Sequence, residues 1–97
     1  MKTFYVISYD VVNDRKRRKI SKILEGYGKR VQYSVFESIL ARSDFIKMYH
    51  ELLAVDIDAE TDSIYFYSIC SNCEKKKVVI GRKREYLEIN DAAVIVL

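Results

Sequence analysis

Residues 3–9, Thr-Phe-Tyr-Val-Ile-Ser-Tyr, are β-branched and aromatic with almost nothing polar among them. Such a run predicts a central strand covered on both faces and ending at Asp10. Asn13 or Asp14 then suits a helix N-cap, where a side-chain oxygen accepts from free backbone N–H groups. Ile20, Ile23, Leu24 and Tyr27 follow at helical spacing as one apolar stripe, and Gly26 and Gly28 suit a left-handed helix end. Residues 30–40 return to strand-like alternation, either as one bent strand or as two short strands broken near Ser34. Ser43 or Asp44 is placed to cap a second helix, with Phe45, Tyr49, Leu52, Leu53 and Ile57 as its apolar positions. An acidic turn over 56–62 leads to a strand at 63–70, a polar loop at 71–76 and a short strand at 77–80 ended by Gly81. A charged connector, 82–88, precedes the apolar 91–97.

The order is β-α-β(β)-α-β-β-β. Right-handed crossovers lay both helices on one side of a mostly antiparallel sheet, the α+β, ferredoxin-like (βαββαβ) arrangement with an extra C-terminal strand. The other sheet face is then bare. A second copy stacking sheet to sheet covers it, with 82–97 engaging the partner's edge.

Composition narrows this picture without overturning it. Ninety-seven residues, 49% apolar and 32% charged, form one globular domain spanning 1–97. No apolar run is long enough to span a membrane, and the N-terminus lacks a signal-peptide layout, so the expected location is cytoplasmic with reduced cysteines. Charge is unevenly spread. Residues 1–40 hold nine Lys/Arg against four Asp/Glu, residues 41–70 two against six, and residues 71–97 six against four. That asymmetry suggests one basic face suited to phosphate, or simply a solvated one.

Two features could carry chemistry. Asp10 ends an apolar strand, a recurrent way to present a metal ligand or general base; a turn-capping aspartate reads the same in sequence. One Asp per chain cannot build a two-metal site, but a two-fold axis through the bare face brings two together, and Mg²⁺ or Mn²⁺ suits oxygen-only ligands. Arg15, Lys16, Arg17, Arg18 and Lys19 crowd a helix N-terminus against its macrodipole, which nucleic-acid phosphates would offset. Snorkelling stems on a solvated face are the alternative. Lys75–Lys77 and Arg82–Arg84 are further clusters. Cys70 and Cys73 have zinc-ligand spacing but no second pair.

The segments SYDVVNDRKRRK, GYGKRVQYSVFES and TDSIYFY, in this order, closely resemble the Cas-two family of CRISPR-associated proteins over essentially the whole chain. The resemblance implies a ferredoxin-like homodimer working in spacer acquisition with the CRISPR integrase, Cas-one. It also implies a metal-dependent endonuclease acting on single-stranded RNA or double-stranded DNA with Mg²⁺. Residue by residue, it implies a metal-binding role for Asp10 after Tyr9. It carries catalytic positions over to Arg17, Arg30 and Phe36, with Tyr9 and Phe36 shaping the dimer cleft. Lys19 stands where some relatives carry arginine. Two other readings remain: a non-catalytic DNA-binding scaffold of the integration complex, and a ferredoxin-like module binding a small ligand.

Overall fold

The expected alternation along the first strand is what organises the molecule. The structure, a computed structural model, describes residues 1–70 and 78–80. Strand β1 (Lys2–Asp10) is followed by helix α1 (Asp14–Glu25), strands β2 (Lys29–Gln32) and β3 (Val35–Ala41), helix α2 (Arg42–Leu53) and strand β4 (Ser63–Ile69). The four strands form an antiparallel sheet ordered β2-β3-β1-β4, an α+β layout with β1 inside.

Alternate residues of β1 go to opposite faces. Ile7, Tyr9 and, just past the strand, Val11 join Phe36 and Leu40 of β3 in one buried layer. Ile20 and Leu24 of α1 and Met48 and Leu52 of α2 close over that layer. Ile7, Ile20, Leu24, Phe36 and Met48 are fully buried, and each contributes roughly 1.5–3 kcal/mol of transfer free energy. Asp10 falls on the opposite face with Val6 and Ser8. Their register partners there are Val35 and Glu37 of β3 and Ser63, Tyr65 and Tyr67 of β4. Tyr65 and Tyr67 are 56% and 51% exposed and stack at 6.1 Å. The face without helices is the one expected, although Phe4 on that side is buried.

Helix α1 begins as its sequence predicts. Asn13 is extended, and its side chain accepts from the Lys16 N–H at 2.9 Å. Its end differs from expectation. Gly26 has φ −77°, an ordinary right-handed value, so no left-handed glycine stops the helix. Gly28 is needed for a different reason, close approach. A Cβ there would overlap the Glu37 carbonyl oxygen and lie 2.6 Å from Ser38 Oγ. Tyr27, between the two glycines, donates its hydroxyl to Glu51 of α2, and that bond pushes the phenol up to about 12.

The open question over 30–40 resolves as two strands. Tyr33 and Ser34 form the turn, and Arg30 opposes Phe36 with an irregularity before Gln32. The Tyr9 N–H donates to the Ser34 carbonyl at 3.0 Å, so the turn is tied to the end of β1. Helix α2 departs from the expected cap. It starts straight from β3 with Ala41 at the N-cap and no side-chain bond, leaving Ser43 and Asp44 inside the first turn. Its buried stripe runs through Phe45, Met48 and Leu52, while Tyr49 and Leu53 are 41% and 58% exposed. Starting the helix earlier does not alter its phase; the sheet simply meets the Met48 side. The expected strand at 77–80 is represented by a bridge at Val79. Cys73, Lys75–Lys77, Arg82–Arg84 and the 82–97 segment lie outside the described residues.

Gly28→Ala should lower stability by about 1–3 kcal/mol, because the clash is with backbone that cannot rotate away. Gly26→Ala meets only the Ile23 carbonyl at 3.3 Å and should cost far less. Urea unfolding of both variants checks the contrast.

Candidate metal and phosphate site

Asp10 is the last residue of β1, paired with Ser63 of β4 and exposed. Among the described residues its carboxylate has no side-chain hydrogen bond or ion pair, so it is neither a turn cap nor half of a salt bridge. The capping role that sequence left open belongs instead to Asp62. Asp62 Oδ1 accepts from the Val12 N–H at 2.9 Å, and Oδ2 accepts from the Asp58 N–H at 3.0 Å. Thr61 adds a hydroxyl bond at 3.2 Å. The Val12 bond is the largest cause holding the Asp62 carboxyl below its usual range. Nothing in the sequence marks Asp62 out, since its partner lies fifty positions away.

The basic run is divided by helical phase. Lys16 and Arg17 turn inward and are half-buried. Lys16 Nζ donates to the Asp56 carbonyl at 2.6 Å, at the turn after α2 where Asp56 takes a left-handed φ of 61°. Arg17 Nη1 donates to the carbonyls of Val11 at 2.9 Å and Val12 at 3.4 Å, and its Nη2 pairs with Asp14. Two of the five expected phosphate ligands are therefore committed to the protein's own backbone. Arg15, Arg18 and Lys19 are exposed, and Lys22 continues their stripe at i, i+3, i+4 and i+7. These four cations, rather than the consecutive five, form the accessible basic surface of α1.

Arg30, Tyr9 and Phe36 do not sit in a cleft on the open face. Tyr9 and Phe36 are 3% and 0% exposed beneath the helices, their rings 6.3 Å apart. The same alternation that exposes Asp10 buries its neighbour. Arg30 lies over the Phe36 ring with 5.0 Å from its guanidinium carbon to the ring centre. It donates to the Tyr33 carbonyl and to Ser21 of α1, with Glu25 3.7 Å away. These three residues brace the hairpin against α1 and the end of β1.

A divalent ion is the group to test against these side chains. An exposed carboxylate without a competing cation is the donor chemistry hard ions take, and Mg²⁺ commonly binds through one or two carboxylates while keeping its waters. Among the described residues, no cluster of three or more His, Cys, Asp or Glu is poised to hold a metal. One chain thus supplies a single fitting carboxylate at this position, with no second ligand grouped beside it among the described residues. An apolar hollow of about 440 Å³ beside α2, lined by Tyr49, Leu53, Asp56, Ile57 and Ile64 among others, does not include Asp10.

A small α+β sheet protein with a strand-end carboxylate beside a basic helix is the class these elements define. The model of the family described as CRISPR associated protein Cas2 matches residues 1–77, and the chain belongs to that family. It is 43% identical to "CRISPR-associated endoribonuclease Cas2 4" of Rhodospirillum rubrum over 79% of this chain and 61% of that protein. It is 44% identical to "CRISPR-associated endoribonuclease Cas2 3" of Chloroflexus aurantiacus over 84% and 86% of the two chains. The Cas2 of Streptococcus pyogenes is similar in structure, with a TM-score of 0.67, 32% identity, and 76% of this chain and 94% of that one covered. So is a chain of a solved "Partial Cas6-RT-Cas1--Cas2 complex", with a TM-score of 0.63, 29% identity, and 77% and 81% covered.

The depressed Asp62 pKa makes a signed prediction. A carboxyl whose folded pKa lies below its unfolded value near 3.8 stabilises the fold above that pH and loses the contribution as pH falls through the folded pKa. Asp62→Ala should therefore melt below the parent at pH 7, with the gap closing at the acid end. Thermal melts across pH 2 to 7 measure it.

Proposed function

We propose that this chain is a metal-dependent endoribonuclease of CRISPR spacer acquisition, working as a homodimer beside the integrase. The observation that carries this reading is the unpartnered Asp10 carboxylate, presented on the helix-free face at the end of the central strand. The strand order and one-sided helices support a ferredoxin-like assignment. The exposed Tyr65–Tyr67 pair supports a second copy packing on that face. In such a dimer the two Asp10 carboxylates would hold Mg²⁺, which when bound supplies Lewis-acid stabilisation of a phosphoryl oxygen and an activated water. The Arg15, Arg18, Lys19 and Lys22 stripe binds backbone phosphates and sets the strand's path. Arg17 and Arg30 keep the surrounding backbone in place, and Tyr9 and Phe36 form the floor beneath it. The relatives' names support RNA as substrate, and the similar chain in a Cas1-containing complex supports the integrase as partner.

A scaffold that binds duplex DNA without cutting it is the second reading. It is favoured by the absence, among the described residues, of any cluster of three or more metal-ligating side chains, and by the use of Arg17 and Arg30 as internal braces.

Asp10→Asn should reduce Mg²⁺-dependent cleavage of single-stranded RNA by on the order of 100-fold or more while leaving nucleic-acid affinity nearly intact. Cleavage by the purified variant at the parental rate would leave only the scaffold. The phosphate stripe has its own test, the dependence of duplex affinity on salt. Replacing Arg15, Arg18 and Lys19 by Ala should flatten the slope of log K against log salt by about one unit per cation. An unchanged slope would remove α1 from the interface.

A further inference from the structure

Among the described residues Asp10 has no side-chain partner, so the place from which its carboxylate projects is set by the backbone at the end of β1. The ladder with β4 ends at the Asp10–Ser63 pair, and the chain leaves the sheet immediately afterwards. One peptide unit further on, the amide joining Val11 to Val12 is held on both sides. Its carbonyl accepts from Arg17 Nη1 at 2.9 Å, and its N–H donates to Asp62 Oδ1 at 2.9 Å. In a trans peptide these two groups point in opposite directions. A cation therefore meets the oxygen and an anion meets the hydrogen of one amide, the arrangement that makes each bond charge-assisted. The buried Val11 side chain anchors the same unit to the core.

Both grips are themselves fixed. Arg17 is steadied by Asp14. Asp62 sits at the end of a tight turn, where its own N–H donates to the Asp58 carbonyl at 2.8 Å and its Oδ2 accepts from the Asp58 N–H. We infer that Asp62 is a positioning residue for Asp10, acting with Arg17 as the two jaws of a clamp on the Val11–Val12 peptide. Neither jaw touches the Asp10 carboxylate. The clamp acts by stopping the end of β1 from fraying and so keeping Asp10 aimed across the open face. The inference rests on the metal-binding reading of Asp10 and adds to it a residue from the far side of α2, fifty positions from the Val12 N–H it holds, that no spacing argument connects.

The test uses the full-length chain with Mn²⁺ as probe. Line broadening of the Asp10 amide by Mn²⁺ reports metal binding, and Val12 amide exchange reports the clamp. Asp62→Ala should speed Val12 exchange, weaken the Mn²⁺ response about 10-fold and lower kcat with KM unchanged. Asp62→Asn retains an oxygen for the Val12 N–H and should recover much of the loss, and it serves if the alanine variant does not fold. Faster Val12 exchange with Mn²⁺ affinity and kcat at parental values would reduce Asp62 to a stability residue and overturn the inference. Asp10→Asn separates the two ideas. If it abolishes the Mn²⁺ response while Asp62→Ala does not, only the positioning role fails. If it leaves the response unchanged, the Asp10 metal site itself fails.

Discussion

The two-residue period of β1 is the constraint on which the rest depends. Ile7 and Tyr9 must enter the layer under the helices, because that is where their apolar area leaves water. Asp10 is then obliged to face the other way, and no local adjustment could move it without flipping Tyr9 out of the core. Because β1 is an interior strand, flanked by β3 and β4, its register is pinned from both sides. An exposed carboxylate is thereby held at the end of a strand whose other face is buried in the core. Strand alternation sets the face on which the carboxylate appears, and the contacts beyond the strand end hold the chain that follows it.

A second periodicity divides the cations of α1. Five consecutive positive charges at a helix N-terminus oppose the macrodipole, each by about 0.3–1 kcal/mol, and a uniform run would be a poor start for a helix. Helical phase relieves this. Lys16 and Arg17 swing toward the core side, where backbone carbonyls of the Asp56 turn and the Val11–Val12 segment accept their protons. Asp14 in the first turn pairs with Arg17 and favours the helix start that the cations oppose. What is left on the outside is a narrower stripe, better spaced to follow a phosphate backbone than a cluster would be. The same residues thus stabilise the loop after Asp10 and clear the surface beside it.

Much of this was legible in the sequence, for reasons that can be named. The β1 and α1 assignments, the Asn13 cap, the helix-free face and the position of Asp10 on it follow from local periodicity, which acts within a few residues. The features that were not legible are those set by distant partners. Arg17 reads as a phosphate ligand until the Val11 carbonyl is seen beside it. Tyr9 and Phe36 read as cleft aromatics because a motif carries residue types but not faces. Asp62 reads as one more acid in an acidic turn. In α2 the expected Phe45 and Leu52 pack on the core, as does Ile57 from just beyond the helix, whereas Met48 takes the buried place between them and Tyr49 and Leu53 stay exposed, because the position of the sheet decides which side is covered. Gly28 was given the right importance for the wrong cause, since close approach to β3 is a tertiary fact.

On the proposed reading, the electrostatics of Asp10 make one carboxylate on its own a weak site for a divalent ion. A lone exposed carboxylate in high dielectric interacts weakly with one divalent ion, about 2 kcal/mol at 4 Å by Coulomb's law in water, and Mg²⁺ gives up its waters reluctantly. Placing two such groups across a closed interface would lower the local dielectric and strengthen their attraction for a shared cation. It would also make each carboxylate destabilise the other when no cation is present. Metal, dimer contact and nucleic-acid phosphate would then be linked, each favouring the others through the same charge balance. The exposed tyrosines of β4 and the unpartnered Asp10 lie on the same sheet face, so the surface that would exclude water is the one that carries the charge.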